Sequence, residues 1–162
     1  MCIRDSSGSI AGDALLTNTA NRIGTLAGLT AGGTLAVADA TGLIESGTLS
    51  GAAVTLSASF LTLGGSASAT GAMLLDIGGT LSQIAALQAG TLSGSIAGDA
   101  LLTNMSNRIG TLADFSAGGT LAVADATGLS QTGTLSGAVV TLSASGMTLG
   151  GSIAAAGALS LT

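Results

Sequence analysis

The sequence predicts an all-β fold: a parallel β-helix (β-solenoid) with about 21–22 residues per coil. Three observations predict it. The chain repeats itself over 86 residues, its apolar side chains alternate with Thr and Ser at period two, and glycine pairs punctuate the alternating runs.

The long repeat comes first, because missing it would misread the whole architecture. The segment GSIAGDALLTN begins at Gly8 and again at Gly94, and aligning 8–76 with 94–162 gives 52 identities in 69 positions. Shared blocks include NRIGTLA at Asn21 and Asn107, AGGTLAVADATGL at Ala31 and Ala117, and GTLSGA at Gly47 and Gly133. Residues 7–162 therefore read as a single repeat region, with one long unit at 8–93 and a second, truncated one at 94–162. Inside a unit the triplet GTL recurs at Gly24, Gly33, Gly47, Gly79 and Gly90, with VTL at Val54 and LTL at Leu61 as variants. Dividing at these triplets gives pieces 14–35, 36–56, 57–81 and 82–99, of mean length 21.5. Stacked at ~4.8 Å per rung, such coils would make about 7.5 rungs and a rod of roughly 36 Å. Equivalent residues of the two long units would then lie four rungs apart, about 19 Å, on the same face.

Each piece reads as strand. In VTLSAS, Val54, Leu56 and Ala58 alternate with Thr55, Ser57 and Ser59, and in GTLAVAD Leu35 and Val37 alternate with Thr34, Ala36 and Ala38. Successive side chains of a strand point to opposite faces, so the aliphatic set faces inward and the hydroxyls outward. Gly32–Gly33 and Gly64–Gly65 are placed as corners between short strands. The segment SQIAALQAG, from Ser82 to Gly90, also carries a helix-like spacing at Ile84, Ala85 and Leu87. It is short for an isolated helix, so strand is the first reading and a helical turn the alternative.

Composition narrows the function classes. The chain has 27 Gly, no Pro, no His, no Trp, no Tyr and no Lys, with aromatics at 1% and charged residues at 7%. A core without aromatics suits a narrow, regular interior. Mean hydropathy is +0.73, yet Gly, Ser, Thr or Asp interrupts every apolar run, so no membrane span is expected. A net charge of −5 offers no basic patch for nucleic acid.

The two ends read as non-native boundaries. MCIRDS, residues 1–6, holds the only Cys (Cys2) and one of three Arg (Arg4). It resembles the translation of an adapter used in preparing sequencing libraries, a contaminant of metagenomic assemblies, with a genuine N-terminus as the alternative. Ser160, Leu161 and Thr162 fall in the middle of a repeat, so the segment is read as part of a longer protein and lacks the polar caps that natural solenoids need.

Candidate sites are few. Asp13 and Asp99 follow SIAG, and Asp39 and Asp125 sit in AVADATG. The calcium-binding nonapeptide solenoid needs clustered Gly and Asp that are absent here, so these four are expected at solvated turns, bonded to their own backbone. Asn18, Asn21, Asn104 and Asn107 form TNxxN, either a stacked ladder, if other rungs supply partners, or ordinary turn residues. Arg22 and Arg108 are expected to solubilise a strand edge or to pair with a nearby Asp. Without His or Lys there is no imidazole base, no P-loop lysine and no Schiff base. No catalytic, cofactor-binding or metal-ligating residue is assigned, and no enzyme is expected.

Taken together, the blocks AGTLSGSIAGDALLTN, NRIGTL, AGGTLAVADATGL, GTLSG, VTLSAS and LTLGG resemble the repeat regions of filamentous-haemagglutinin-like exoproteins, over Gly8 to Thr162. The resemblance implies a right-handed parallel β-helix on a secreted or outer-cell-surface protein, and adhesion or biofilm roles. The expectation is a structural stalk or passenger segment whose partners are neighbouring repeats of the same parent chain, with host-cell or surface glycans engaged through other regions. The alternative is a module that binds glycans or a surface directly. A polysaccharide-degrading β-helix enzyme is disfavoured by the missing bases and aromatic platforms.

Overall fold

Alternation at period two forces one face of every strand inward, and no single coil can bury that face alone. The computed structural model, which describes residues 6–162, shows how the chain solves this. It is a β-solenoid of about 8 turns in which every strand pairing is parallel, and no helix occurs among the described residues. The region expected to be adapter-derived falls largely on residues 1–5, outside the described part. Ser6 itself opens the first strand, Ser6–Ile10, which pairs with Thr25–Ala31.

A typical coil has three short strands. One coil runs through Thr34–Ala38, Gly42–Glu45 and Thr48–Gly51. The next runs through Ala53–Ala58, Phe60–Leu63 and 66–69, the last being the first part of strand Ser66–Ile77. The segment 82–90 is strand and bend, as its length favoured: Leu81–Gln83 ends before Ile84, which is exposed, and the next strand starts at Leu87.

Inward positions are the aliphatic ones. Val54, Leu56 and Ala58 are buried, whereas Thr55 and Ser57 are half-exposed and Ser59 is exposed. Leu35, Val37, Leu121, Val123, Val140 and Leu142 are likewise inward and form one continuous cluster along the axis, although the alanines beside them, Ala36, Ala38, Ala122 and Ala124, are buried as well. The single buried aromatic, Phe115, takes the place that Leu29 holds in the first unit. It fits because it sits in register with Gly94, where a Cβ would come within 2.9 Å of the ring.

Corners continue the ladder. Gly98 donates its amide to the Gly79 carbonyl at 2.8 Å, Gly119 to Gly98 at 3.0 Å, Ala138 to Gly119 at 2.7 Å and Gly157 to Ala138 at 2.7 Å. Small residues stack here because the backbone of one coil lies directly against the next. At Gly65 a Cβ would collide with the Gly47 carbonyl oxygen, and at Gly151 with that of Gly133.

The register corrects the expected coil length. Pairing runs Leu35, Val54, Met73, Leu92, Leu112, Gln131, which is 96 residues in five steps, or 19.2 per coil. A second column runs Leu43, Leu61, Leu81, Ala100, Leu121, Val140, Leu159. Leu121 is the counterpart of Leu35 after 86 residues, yet it stands in the column of Leu43. The long repeat therefore spans about four and a half coils, not four, and its two units present equivalent residues on different sides of the rod. The local pairing is nevertheless kept. Thr25–Ala31 pairs with both Gly42–Glu45 and Thr48–Gly51, and Arg108–Ala117 pairs in the same way with 130–131 and with Thr134–Gly137.

Two substitutions on one strand test the packing. Leu56→Ala should cost about 2–5 kcal/mol in chemical denaturation, the usual range for emptying a core site. Thr55→Ala, one residue away on the outer face, should stay within about 0.5 kcal/mol. Equal effects would contradict an inward Leu56 and an outward Thr55.

Candidate functional site

Five polar side chains are buried among the described residues: Asp39, Glu45, Asn107, Asp125 and Gln131. A buried polar group has to find partners or carry a large desolvation cost, so each shows what the interior uses it for. All five sit where a coil turns from one strand to the next or closes on the coil beneath.

Asp39 and Asp125 are counterparts and do the same work. Asp39 Oδ1 accepts the Thr41 amide at 2.8 Å and the Thr41 hydroxyl at 2.7 Å, while Oδ2 accepts the amides of Ile23 and of Gly24 on the preceding coil. Asp125 accepts the Thr127 amide and hydroxyl at 2.8 Å each and the Ile109 amide at 2.5 Å. The expectation of solvated turn residues is thus half right. The bond to the residue two positions on is local, as predicted, but the second carboxylate oxygen clamps a neighbouring coil and both side chains are buried. Burial alone would raise the Asp39 carboxyl, but the Ile23 amide, the Thr41 hydroxyl and amide and the Gly24 amide outweigh it and hold the group below the ordinary carboxylate value. Asp13 and Asp99 also reach across coils, accepting the amides of Thr34 and Thr120 at 2.7 Å in place of their own backbone, and Asp114 does the same with Thr134 at 2.7 Å.

The TNxxN motif divides by position. Asn18 and Asn104 are turn residues that accept from Ala20 and Ser106 at 2.8 Å. Asn107 is fully buried: its amide nitrogen donates to the carbonyls of Leu102 at 3.1 Å and Ala124 at 3.0 Å, and its oxygen accepts the Leu87 amide at 2.8 Å. On the adjacent coil Gln83 Nε2 donates to Asn107 Oδ1 at 2.5 Å, and Gln83 Oε1 lies 3.0 Å from Asn107 Nδ2, where it shares that nitrogen's two hydrogens with the two carbonyls. A short ladder does form there, and its second rung is a glutamine that the motif did not contain.

Glu45 and Gln131 were missed at the level of sequence. The signal was present, since period two from inward Leu43 and Leu129 places both inward. Gln131 Oε1 accepts the Gly151 amide and its Nε2 donates to the Gly133 carbonyl, both at 3.0 Å. Glu45 Oε2 accepts the equivalent Gly65 amide at 2.7 Å, but Oε1 has no partner. Burial pushes the Glu45 carboxyl up, partly offset by the amides of Gly65 and Gly47.

On the outside, Arg22 and Arg108 are both exposed. Arg108 stands in register beside Gln88, and the two border shallow depressions lined by Ser66, Ser68 and Ser106 on one side and by Thr70 and Thr127 on the other. Among the described residues, no three His, Cys, Asp or Glu side chains come together in a group that could hold a metal ion.

The chemistry of the interior is therefore that of closure. Carboxylates and amides accept backbone amides at the corners, and Asp39 and Asp125 each also accept a threonine hydroxyl. No protein-family model, curated protein or solved structure matches this chain.

Asp39→Asn should destabilise the rod by about 1–3 kcal/mol, because one oxygen that accepts backbone amides becomes an NH2 group. The wild-type contribution should be present at neutral pH and should disappear as pH falls below the unfolded value through the lowered folded one, since a depressed carboxyl favours the folded state only while ionised. Denaturant melts of both proteins across acid pH check the sign.

Proposed function

We propose that the chain is a structural rod: a stalk or passenger segment of a large secreted or surface-exposed adhesin-like protein. The observation that carries this reading is the continuous aliphatic interior, spanned by parallel pairing from coil to coil, with most polar side chains inside it spent on holding coils together. Such a column transmits distance. At ~4.8 Å per rung, about eight coils extend roughly 38 Å. Low charge and the outward Ser and Thr columns suit an exported surface, and the resemblance to filamentous-haemagglutinin-like repeats supports the same setting.

A second reading, direct glycan binding, is favoured by one feature. The Gln88–Arg108 shelf offers an amide and a guanidinium flanked by hydroxyls, which are groups that can bond sugar hydroxyls or a sugar carboxylate. No aromatic ring stands beside it, so sugar stacking has no platform there.

Titration of the chain against a panel of neutral and acidic oligosaccharides separates the two. A rod should show no saturable binding, and Arg108→Ala should change nothing. Saturable binding that Arg108→Ala or Gln88→Ala weakens tenfold or more would overturn the spacer reading in favour of the shelf.

A further inference from the structure

At two equivalent corners of this rod the inward residue is Glu45 in the first unit and Gln131 in the second; beside it Ser46 is replaced by Thr132, and Gly133, unlike Gly47, has a positive φ of 75°. In the second unit Gln131 spans the corner with one accepted and two donated bonds: Oε1 accepts the Gly151 amide, and Nε2 donates to the Gly133 carbonyl at 3.0 Å and, more weakly, to that of Ser152 at 3.4 Å. In the first unit Glu45 stands in the same place with the same burial, its Oε2 on the Gly65 amide. The other oxygen, Oε1, lies where Gln131 has its Nε2. A Cβ built on Gly65 would be 2.6 Å from Glu45 Oε1, and one built on Gly151 would be 2.6 Å from Gln131 Nε2. The group that Nε2 serves in the second unit is a carbonyl, and the equivalent carbonyl in the first unit is that of Gly47. An ionised Oε1 cannot donate to it and would set two acceptors against each other in a dry interior.

We propose that Glu45 is a proton-operated latch: the closed corner holds it as the neutral acid, Oε1–H donating to the Gly47 carbonyl as Gln131 Nε2–H donates to Gly133, and loss of that proton to water loosens the turn at Gly64–Gly65.

No cation stands ready to offset the ionised form. The strands packed against Glu45, Thr25–Ala31 below and Phe60–Leu63 above, carry no titratable group, nor do Ser46, Gly47, Gly64 and Gly65. Thr34–Ala38 and Thr48–Gly51 of the same coil carry none either. The other titratable residue of that coil is Asp39, at a different corner, whose oxygens are occupied by Ile23, Gly24 and Thr41. The sign is opposite to that of Asp39. A carboxyl raised by folding contributes fully below its unfolded value, and that contribution is lost as pH rises through the folded one. Within that window local opening should increase by up to about tenfold per pH unit.

Hydrogen exchange at the Gly65 amide, corrected for intrinsic rate, reads the opening directly. Wild type should open progressively more than Glu45→Gln as pH rises from about 4 to 8, and the two should converge at the acid end. Comparing the pair at each pH cancels the contribution of Asp39. The reciprocal variant Gln131→Glu should gain the same pH dependence at Gly151, and its folding only in acid would support the latch equally. A wild-type to Glu45→Gln ratio that stays constant with pH would overturn it. So would a carbon-13 carboxyl resonance for Glu45 that titrates like a solvated glutamate.

Discussion

The hydrogen-bonded ladder between coils is the constraint that everything else in this rod obeys. It fixes the spacing of neighbouring backbones at ~4.8 Å, leaving the interior no freedom to adjust its width locally. Side chains that stack in one column must therefore suit one another in size. Leu, Val, Ile and Met succeed each other freely, and the one large ring, Phe115, is accommodated by the bare backbone of Gly94 beneath it. The near absence of aromatics in the composition follows from the same spacing.

Corners are where the ladder is hardest to satisfy, because the backbone changes direction and its amides turn away from their neighbours. Two devices meet that difficulty. Stacks of Gly and Ala, such as Gly79, Gly98, Gly119, Ala138 and Gly157, let the backbone pair with itself at close range. Elsewhere an acidic or amide side chain reaches over to collect the stray donors, as Asp39, Asp125 and Asn107 do. The polar interior is thus a consequence of turning, and Glu45 and Gln131 show that it also occurs beside stacked glycines.

Much of this was legible from the chain alone. Strand periodicity, the inward Leu56 and outward Thr55, the glycine corners and the stacked-coil architecture all follow from local pattern, and local pattern is what a strand and a corner respond to. Coil length was not legible. The GTL triplet encodes a corner followed by a strand, and a coil has several of these. Leu35 and Leu49 both belong to such triplets yet stand on different sides of a single coil. Dividing the 86-residue unit into four windings, where it makes about four and a half, lengthened each winding by about two residues. The burial of Asp39 escaped for a related reason: its contact with Ile23 lies sixteen residues back and depends on how the coils register. Glu45 could be placed inside from the alternation of Leu43, Ile44 and Glu45, but its missing partner appears only beside Gln131 in three dimensions.

The half-integral winding of the 86-residue unit has a geometric consequence for recognition. What the first unit shows on one side of the axis, the second shows on another, as Leu35 and Leu121 do. A flat surface laid along one side of the rod would meet a given motif in one unit and miss its counterpart in the other. Two separate bodies on opposite flanks could each grip the same motif. Repetition that looks monotonous in the sequence thus becomes two-sided in space.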